Sequence, residues 1–206
     1  MAKKKKESFF WTSYSDLMTS LFFVMLVLFI LTVALMHNRH KATAEQLAKV
    51  TEINNSIKLI DTTYFVYDTL FKRHTLKGIQ VQFGRDSFNI YRLPKTDIRK
   101  LEAAGRAIQT FMKNAKEQIP GAEYLLIIEG QSSKDNYPGN DVLSYRRALA
   151  LVKMWERNDI KFDTLPCEVI ICGSGQNSSF RIQPDNRNNT ANQRFVIHII
   201  PKPGNF

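Results

Sequence analysis

The longest apolar stretch of the chain lies close to its start. Residues 17–36 contain no charged side chain, and as an α-helix these 20 residues would rise about 30 Å, the thickness of the hydrocarbon core of a bilayer. Phe9, Phe10 and Trp11 come just before this stretch, and aromatic residues are typical of a membrane interface. The pattern therefore predicts a single transmembrane helix over residues 9–36.

The first half of this predicted helix carries one polar face. The polar residues are spaced i, i+4, i+7 and i+8, which places them on the same side of a helix: Thr12, Asp16, Thr19 and Ser20. A charged Asp at the centre of a bilayer helix costs about 2.5–3.5 kcal/mol on insertion scales, and intramembrane acids mark ion pathways. An Asp near the end of the span can instead reach interfacial water. The spacing alone leaves both interpretations open.

The basic residues on the two sides of the span predict its orientation. Four lysines lie in the tail formed by residues 1–8, whereas basic residues are sparser after the span. The positive-inside rule then places the N-terminus in the cytoplasm and the rest of the chain outside. A cleaved signal peptide is the alternative, with a possible cleavage site at Ala42–Ala44. Against it, the apolar run is longer than the usual signal core of about 7–15 residues.

The connector, residues 37–77, has a helical pattern. Its apolar residues are separated alternately by three and four positions, which is the a/d spacing of a heptad repeat: Val50, Ile53, Ile57, Ile60, Tyr64, Tyr67 and Phe71. No Pro or Gly interrupts the segment from Ala42 to Arg73. The pattern predicts either a parallel coiled coil that joins two copies or one amphipathic helix that packs on its own domain. We favour a helix that pairs near the membrane and packs on the domain at its C-terminal end.

Residues 78–206 predict an α+β sandwich. Residues 79–90 alternate between apolar and polar and predict two strands joined by a turn. A helix is predicted from Thr96 or Asp97 to a point before Pro120. The remaining elements follow in the order strand, helix, strand, strand: residues 124–130, 140–158, 168–175 and 192–200. The fold class is therefore α+β, with one transmembrane helix and a helical connector in front.

Composition narrows the function. Lys and Arg number 29 against 19 Asp and Glu, which gives a net charge of +10. A Gly-rich phosphate loop, zinc-ligand spacing and a nucleic-acid module are all absent from the sequence, so we expect no cofactor, metal or nucleic-acid partner. On one strand, Cys167 and Cys172 would lie roughly 16 Å apart, and a disulfide needs Cα atoms within about 7 Å, so we expect free thiols.

The stretch WTSYSDLMTS resembles the transmembrane helix of MotB-type stator subunits. The family motif has an aromatic, a small residue, an Asp, an apolar residue, Met and Thr or Ser, and seven residues match it: Trp11, Tyr14, Ser15, Asp16, Leu17, Met18 and Thr19. The resemblance implies a homodimer inside a pentamer of MotA-like (in Zorya systems, ZorA-like) subunits, a 5:2 complex in the inner membrane. It also implies that Asp16 carries the ion, a proton in our preferred hypothesis and sodium otherwise.

The stretch NDVLSYRRALALV resembles the Asn-x-x-Leu-Ser-x-x-Arg-Ala motif of OmpA-like peptidoglycan-binding domains. The resemblance extends over residues 79–200 and implies a binding protein, not an enzyme. It also implies that Arg147, with Asn140 and Leu143 beside it, binds the diaminopimelate of a peptide stem. Ser133 stands where the family has an Asp, and Asp135 is a candidate to replace that carboxylate. Without the motif, Arg147 would be interpreted as a solvated helix residue.

Two hypotheses follow from these features. In the first, the chain is the B subunit of an ion-driven motor, with Asp16 in the ion path and the outer domain anchored to the cell wall. A Zorya-type anti-phage system is preferred over a flagellar MotB stator, because the connector is compact and the wall-binding loop departs from the family. In the second, the chain is a passive OmpA-like tether without ion flux.

Overall fold

The computed structural model describes residues 4–58, 60–70, 73–77, 79, 81–84, 86–135, 137–178, 181–187 and 190–202, with the backbone alone for residues 4–10 and 42. The chain divides into two compact units, Met1–Lys49 and Val50–Phe206.

The first helix, α1, runs over Lys4–Ile57 and contains the whole predicted transmembrane segment. From Leu17 to Met36 every side chain is exposed, and the run is apolar on all sides except at Thr19, Ser20 and Thr32. A helix that is apolar all round is stable only when lipid or protein covers it. By length and composition, α1 is the one helix in the described part of the chain that could cross a membrane.

The connector differs from its predicted structure, because α1 ends at Ile57 rather than continuing to Arg73. The carboxylate of Asp61 accepts a hydrogen bond from the backbone N–H of Thr63 at 2.8 Å, which is a turn conformation that competes with helix. Two short strands follow, β1 over Phe65–Asp68 and β2 over Arg73–Leu76.

The aromatic and β-branched residues of this region explain the change from helix to strand. Phe65 is 2% exposed and its neighbour Val66 is 48% exposed, which is the alternation of a strand. Of the last three predicted heptad positions, Tyr64 lies just before β1 and Tyr67 lies within it. Phe71 lies outside the described residues.

The earlier heptad positions are buried within the second unit. Ile53, Ile57 and Ile60 belong to its hydrophobic core. Of the two interpretations of the connector, packing of one amphipathic helix on its own domain is thus the one that this stretch adopts. The compact unit accordingly begins at Val50 and includes residues that the sequence assigns to the connector.

The second unit contains a five-stranded mixed sheet with the strand order β1-β2-β5-β3-β4. The remaining strands are β3 over Tyr124–Gln131, β4 over Cys167–Gly175 and β5 over Phe195–Pro201. Strands β3 and β4 are parallel and the other neighbours are antiparallel. The helices are α2 over Lys95–Gln118 and α3 over Asn140–Arg157, with short 3-10 helices at Ile90–Arg92 and Thr190–Asn192. The predicted α+β class is confirmed.

The prediction of two strands over residues 79–90 is wrong, because the described residues of this range form a loop that ends in a 3-10 helix. The edge of β5 that such strands could pair with is already occupied by β2. The apolar residues instead pack from the loop onto the core: Val81 is buried, and the rings of Phe83 and Phe195 meet edge to face at 6.1 Å.

Helices α2 and α3 meet at a glycine. A Cβ on Gly105 would lie 2.6 Å from Nε1 of Trp155, and that indole is fully buried and donates to the carbonyl of Leu101 at 2.8 Å. We expect Gly105→Ala to lower the free energy of unfolding by about 1–2 kcal/mol, because overpacking outweighs the gain in helix propensity. Urea unfolding followed by Trp155 fluorescence in a Trp11→Phe background measures this, and an unchanged or higher stability would contradict the packing described.

Candidate functional site

The five candidate wall-binding residues line one cavity of about 580 Å³. They are Ser133, Asp135, Asn140, Leu143 and Arg147. Three of them come from α3 at positions i, i+3 and i+7, which share one helix face, and two come from the loop after β3. The structure therefore brings together residues that the sequence related only through a motif.

Glycines hold α3 close to the sheet at this cavity. A Cβ on Gly130, in β3, would collide with the carbonyl oxygen of Ser144, and a Cβ on Gly173, in β4, would collide with the backbone of Tyr145. The hydroxyl of Ser144 accepts a hydrogen bond from the backbone N–H of Gly175 at 2.9 Å. The Leu-Ser part of the motif thus fixes the helix on the sheet, and the Arg of the motif is positioned as a result.

Arg147 is held rigidly in the wall of the cavity. Its side chain is 4% exposed, its Nε donates to the carbonyl of Ser87 at 3.0 Å, and its guanidinium lies over the ring of Phe83 at 4.6 Å from the centroid. Burial lowers the pKa of Arg147 to about 10, although the nearby carboxylates of Asp135 and Asp86 act to raise it. Arg147 is therefore charged at neutral pH. The planar pair of terminal N–H groups suits a carboxylate ligand.

Asp135 supplies the opposite charge. Its Oδ1 accepts hydrogen bonds from Nδ2 of Asn140 at 2.7 Å and from the backbone N–H of Tyr137 at 3.1 Å. Burial raises the pKa of Asp135, but these hydrogen bonds outweigh burial and hold the pKa below its usual value. The carboxylate is therefore ionised, exposed and fixed at the rim of the same cavity as Arg147.

Ser133 is buried and brings no charge to the cavity. Its hydroxyl accepts a hydrogen bond from Nε2 of Gln193 at 3.1 Å, and its carbonyl lies 3.5 Å from Nδ2 of Asn140. The serine thus helps to fix the loop, while Asp135, two residues later, brings a carboxylate into the cavity. A cation and an anion therefore line the same cavity, which is the charge pattern complementary to a zwitterion.

Sequence reasoning missed six lining residues of the cavity, and three of them add a contact or a charge to the site. Phe83 stacks on Arg147, Asp86 adds a second carboxylate, and Gln193 bonds to Ser133. Phe83 and Asp86 lie in the segment that was predicted as two strands, and Asp86 has a φ of 52°, a turn conformation. The sequence GRDS around Asp86 carries a turn signal, but nothing in the sequence indicates that the turn faces α3.

A buried carboxylate lies on the opposite face of β3. Glu129 accepts from Gln131 at 2.9 Å and from Ser174, and its Oε2 pairs with Nε2 of His198 at 3.0 Å. Burial raises the pKa of Glu129, but the hydrogen bonds from His198, Ser174 and Gln131 outweigh it and hold the pKa at about 2.

This pKa predicts a loss of stability in acid. The folded pKa of Glu129 lies below the ordinary value of 4.5, so the ionised group stabilises the fold above pH 4.5, and this contribution is lost as the pH falls towards 2. We expect Glu129→Gln to be less stable than wild type at pH 6 and to show a smaller decline in unfolding free energy between pH 4.5 and 2.5. Equal declines in urea titrations of the two proteins would contradict the assignment.

The candidate ion-carrying residue lies on α1, in the first unit. Thr12, Asp16, Thr19 and Ser20 are exposed along the helix. The hydroxyl of Thr19 donates to the carbonyl of residue 15 at 2.7 Å, and that of Ser20 to the carbonyl of residue 17 at 2.8 Å. Both hydroxyls are thus satisfied within the helix, and each retains lone pairs that can accept a hydrogen bond from outside.

Metal binding has no support in the described part of the chain, where no group of three His, Cys, Asp or Glu side chains converges. Cys167 and Cys172 are free thiols on β4, as expected from their spacing.

The chain matches no protein-family model and no curated protein. It is similar to the solved periplasmic domain of MotB from Helicobacter pylori, at 11% identity over 68% of this chain and 88% of that one, with a TM-score of 0.43. The OmpA-like domain of FopA1 from Francisella tularensis matches at 17% identity over 58% and 70%, with a TM-score of 0.40. The peptidoglycan-associated lipoprotein from Burkholderia pseudomallei matches at 14% identity over 59% and 88%, with a TM-score of 0.38. Such low values do not assign the chain to a family.

Proposed function

We propose that this protein is the B subunit of an ion-driven motor of the inner membrane, anchored to peptidoglycan outside it. The observation that carries the anchoring role is the convergence of the motif residues on one cavity that pairs a rigid Arg147 with an ionised Asp135. Burial of a charged arginine in the lining of a cavity is costly, and an anionic group bound there would offset that cost.

The proposed ligand is the diaminopimelate of a peptide stem. This diamino acid presents a carboxylate and an ammonium on the same carbon, and the cavity offers a cation, Arg147, and an anion, Asp135, to bind them. Arg147 binds the carboxylate through its parallel N–H groups, and Asp135 binds the ammonium. Asn140 orients Asp135, while Leu143 contacts the aliphatic part of the ligand.

The proposed membrane role rests on Asp16. It is the only charged residue between Phe9 and Met36, and it lies on the one polar face of an otherwise apolar helix. We propose that two copies of α1 lie inside a ring of five MotA-like subunits and that Asp16 binds and releases a proton there. Ring residues that alternately bury and hydrate the carboxylate would raise and lower its proton affinity.

The proposed biological setting is a Zorya-type defence motor rather than a flagellar stator. The compact second unit begins at Val50, only a short distance after the membrane segment ends at Met36. The loop after β3 also departs from the common wall-binding sequence, with a serine at position 133 and the carboxylate at Asp135. We take the compact connector and the altered loop as the features that favour a non-flagellar motor.

Sedimentation with purified cell walls tests the anchoring role. The detergent-solubilised protein should co-sediment with sacculi whose stems contain diaminopimelate, and free meso-diaminopimelate should release it. Sacculi with lysine at the same stem position lack one carboxylate and should retain far less protein. Equal retention by both kinds of sacculi, or no release by the free amino acid, would contradict the proposal. Identification of the subunits that co-purify with the protein tests the motor role, which requires a MotA-like partner.

A further inference from the structure

A second concave surface lies on the outer side of α3. This basic groove has a volume of about 620 Å³ and is lined by apolar side chains of the loop and helix and by a row of cations. Its principal residues are Phe88, Tyr91, Leu149, Arg146, Lys153 and Arg157. Phe88 is 44% exposed and Tyr91 is 51% exposed, so two aromatic rings face solvent side by side with the cations.

The cations are arranged in a line. Arg146, Lys153 and Arg157 are separated by seven and four residues on one helix, so the row extends over about 16 Å at 1.5 Å per residue. Lys153 pairs with Glu156 at 2.7 Å, whereas Arg146 and Arg157 form no ion pair within the described residues. The groove therefore has a net positive charge and fits an extended anionic ligand.

The two arginines are already held in place. The guanidinium of Arg146 lies 5.5 Å from the centroid of Phe88, and that of Arg157 lies 5.9 Å from the centroid of Tyr91. Stacking on an aromatic face limits the rotamers of a long side chain, so less entropy is lost when a ligand binds. The N–H edges of a stacked guanidinium stay available to a carboxylate.

The basic groove adjoins the same loop as the cavity that contains Arg147 and Asp135. Ser87 accepts the hydrogen bond from Arg147 on the cavity side, and the next residue, Phe88, lies under Arg146 on the groove side. Arg146 and Arg147 are themselves consecutive on α3. The cavity and the groove are therefore lined by consecutive residues of one loop and of one helix, which is the arrangement expected of two subsites for one extended ligand.

We propose that the basic groove binds a further part of the same wall polymer. The remaining carboxylates of the peptide stem bind Arg146 and Arg157, and a sugar ring or aliphatic side chain packs on Phe88 and Tyr91. This proposal rests on the proposed function of the cavity. Charge complementarity also fits an acidic protein segment, but the shared loop favours the polymer, and the experiment separates the two.

The test compares two probes on the full-length protein in detergent. Free meso-diaminopimelate reaches only the cavity, whereas a disaccharide tetrapeptide that contains it reaches the groove as well. We expect the tetrapeptide to bind at least tenfold more tightly by calorimetry. The double variant Arg146→Gln/Arg157→Gln should lose most of that advantage and keep the affinity for free diaminopimelate. Phe88→Leu, which keeps an apolar side chain, should reduce the advantage by a smaller factor.

A matched control is Lys113→Gln, which removes one charge from the exposed side of α2 and should leave both affinities unchanged. Circular dichroism melts show whether each variant folds. If the double variant retains the full advantage of the tetrapeptide, or if an oligoglutamate peptide binds the groove and the tetrapeptide does not, the proposal is overturned. If free diaminopimelate fails to bind but the tetrapeptide binds through Arg146 and Arg157, the groove stands and the function proposed for the cavity fails. Absence of binding by both probes overturns both.

Discussion

Asp16→Asn is expected to abolish ion flux through the complex while the protein still inserts and its outer unit still folds. Asparagine has nearly the same shape as aspartate and cannot take up a proton at neutral pH, so the change removes chemistry and keeps packing. No other titratable carboxylate lies between residues 9 and 36 that could replace it. Proton uptake into vesicles that contain the protein with its co-purified ring subunits measures the effect, and we expect a fall to the background of empty vesicles.

Two further variants show whether the loss is specific. Asp16→Glu retains the acid on a longer side chain and should keep part of the flux, whereas Ser20→Ala removes one hydroxyl from the same helix face and should only reduce it. The Asp16→Asn variant should still bind cell walls as wild type does, because Asp16 lies in the first unit and the proposed wall-binding cavity lies in the second. Flux that survives the Asn change would contradict the motor role. Absence of flux in wild type, with wall binding intact, would indicate a passive tether.

Arg147→Ala is expected to reduce the affinity for meso-diaminopimelate by about 100-fold or more. Breaking a buried charge pair costs about 3–5 kcal/mol, and each 1.4 kcal/mol is a factor of ten in affinity. Arg147 is buried, bonded to Ser87 and stacked on Phe83, so the ligand gains an already oriented pair of donors. Isothermal titration of the wild type and the variant measures the difference.

Loss of Arg147 also removes the bond to Ser87, so binding must be separated from folding. Arg147→Lys keeps the charge but not the planar pair of donors, and it should still lose most of the affinity. Asp135→Asn keeps the shape of the side chain and should weaken binding through the ammonium alone. Lys113→Gln, distant from the cavity, should bind as wild type does. Near-wild-type affinity in Arg147→Ala would show that the ligand lies elsewhere.

The helices and strands after residue 95 could be predicted because each carries one clear period. The apolar face of α3 and the continuous apolar run of β3 leave no second interpretation. The prediction for residues 58–90 was wrong because short segments there fit both a helical period and a strand period. Tyr64 and Tyr67 fit a heptad, yet Tyr67 lies in β1, a strand of only four residues that is stabilised by its pairing with β2.

The candidate site could be predicted where a sequence motif contains it, on α3 and in the loop after β3 with Ser133 and Asp135. Asn140, Leu143 and Arg147 share a face of α3, so a sequence motif contains them. Phe83 and Gln193 reach the cavity through tertiary packing of loops that are distant in sequence, and no local pattern encodes that approach. The basic groove has the same origin, since its aromatic rings and its cations come from different segments.

The structure of the protein bound to meso-diaminopimelate tests the wall-anchoring claim most directly. We expect the ligand in the cavity, with its carboxylate on the terminal nitrogens of Arg147 and its ammonium on Asp135, each at a hydrogen-bond distance of about 2.7–2.9 Å. An empty cavity at saturating ligand, or a ligand that contacts neither of these two residues, would contradict the account.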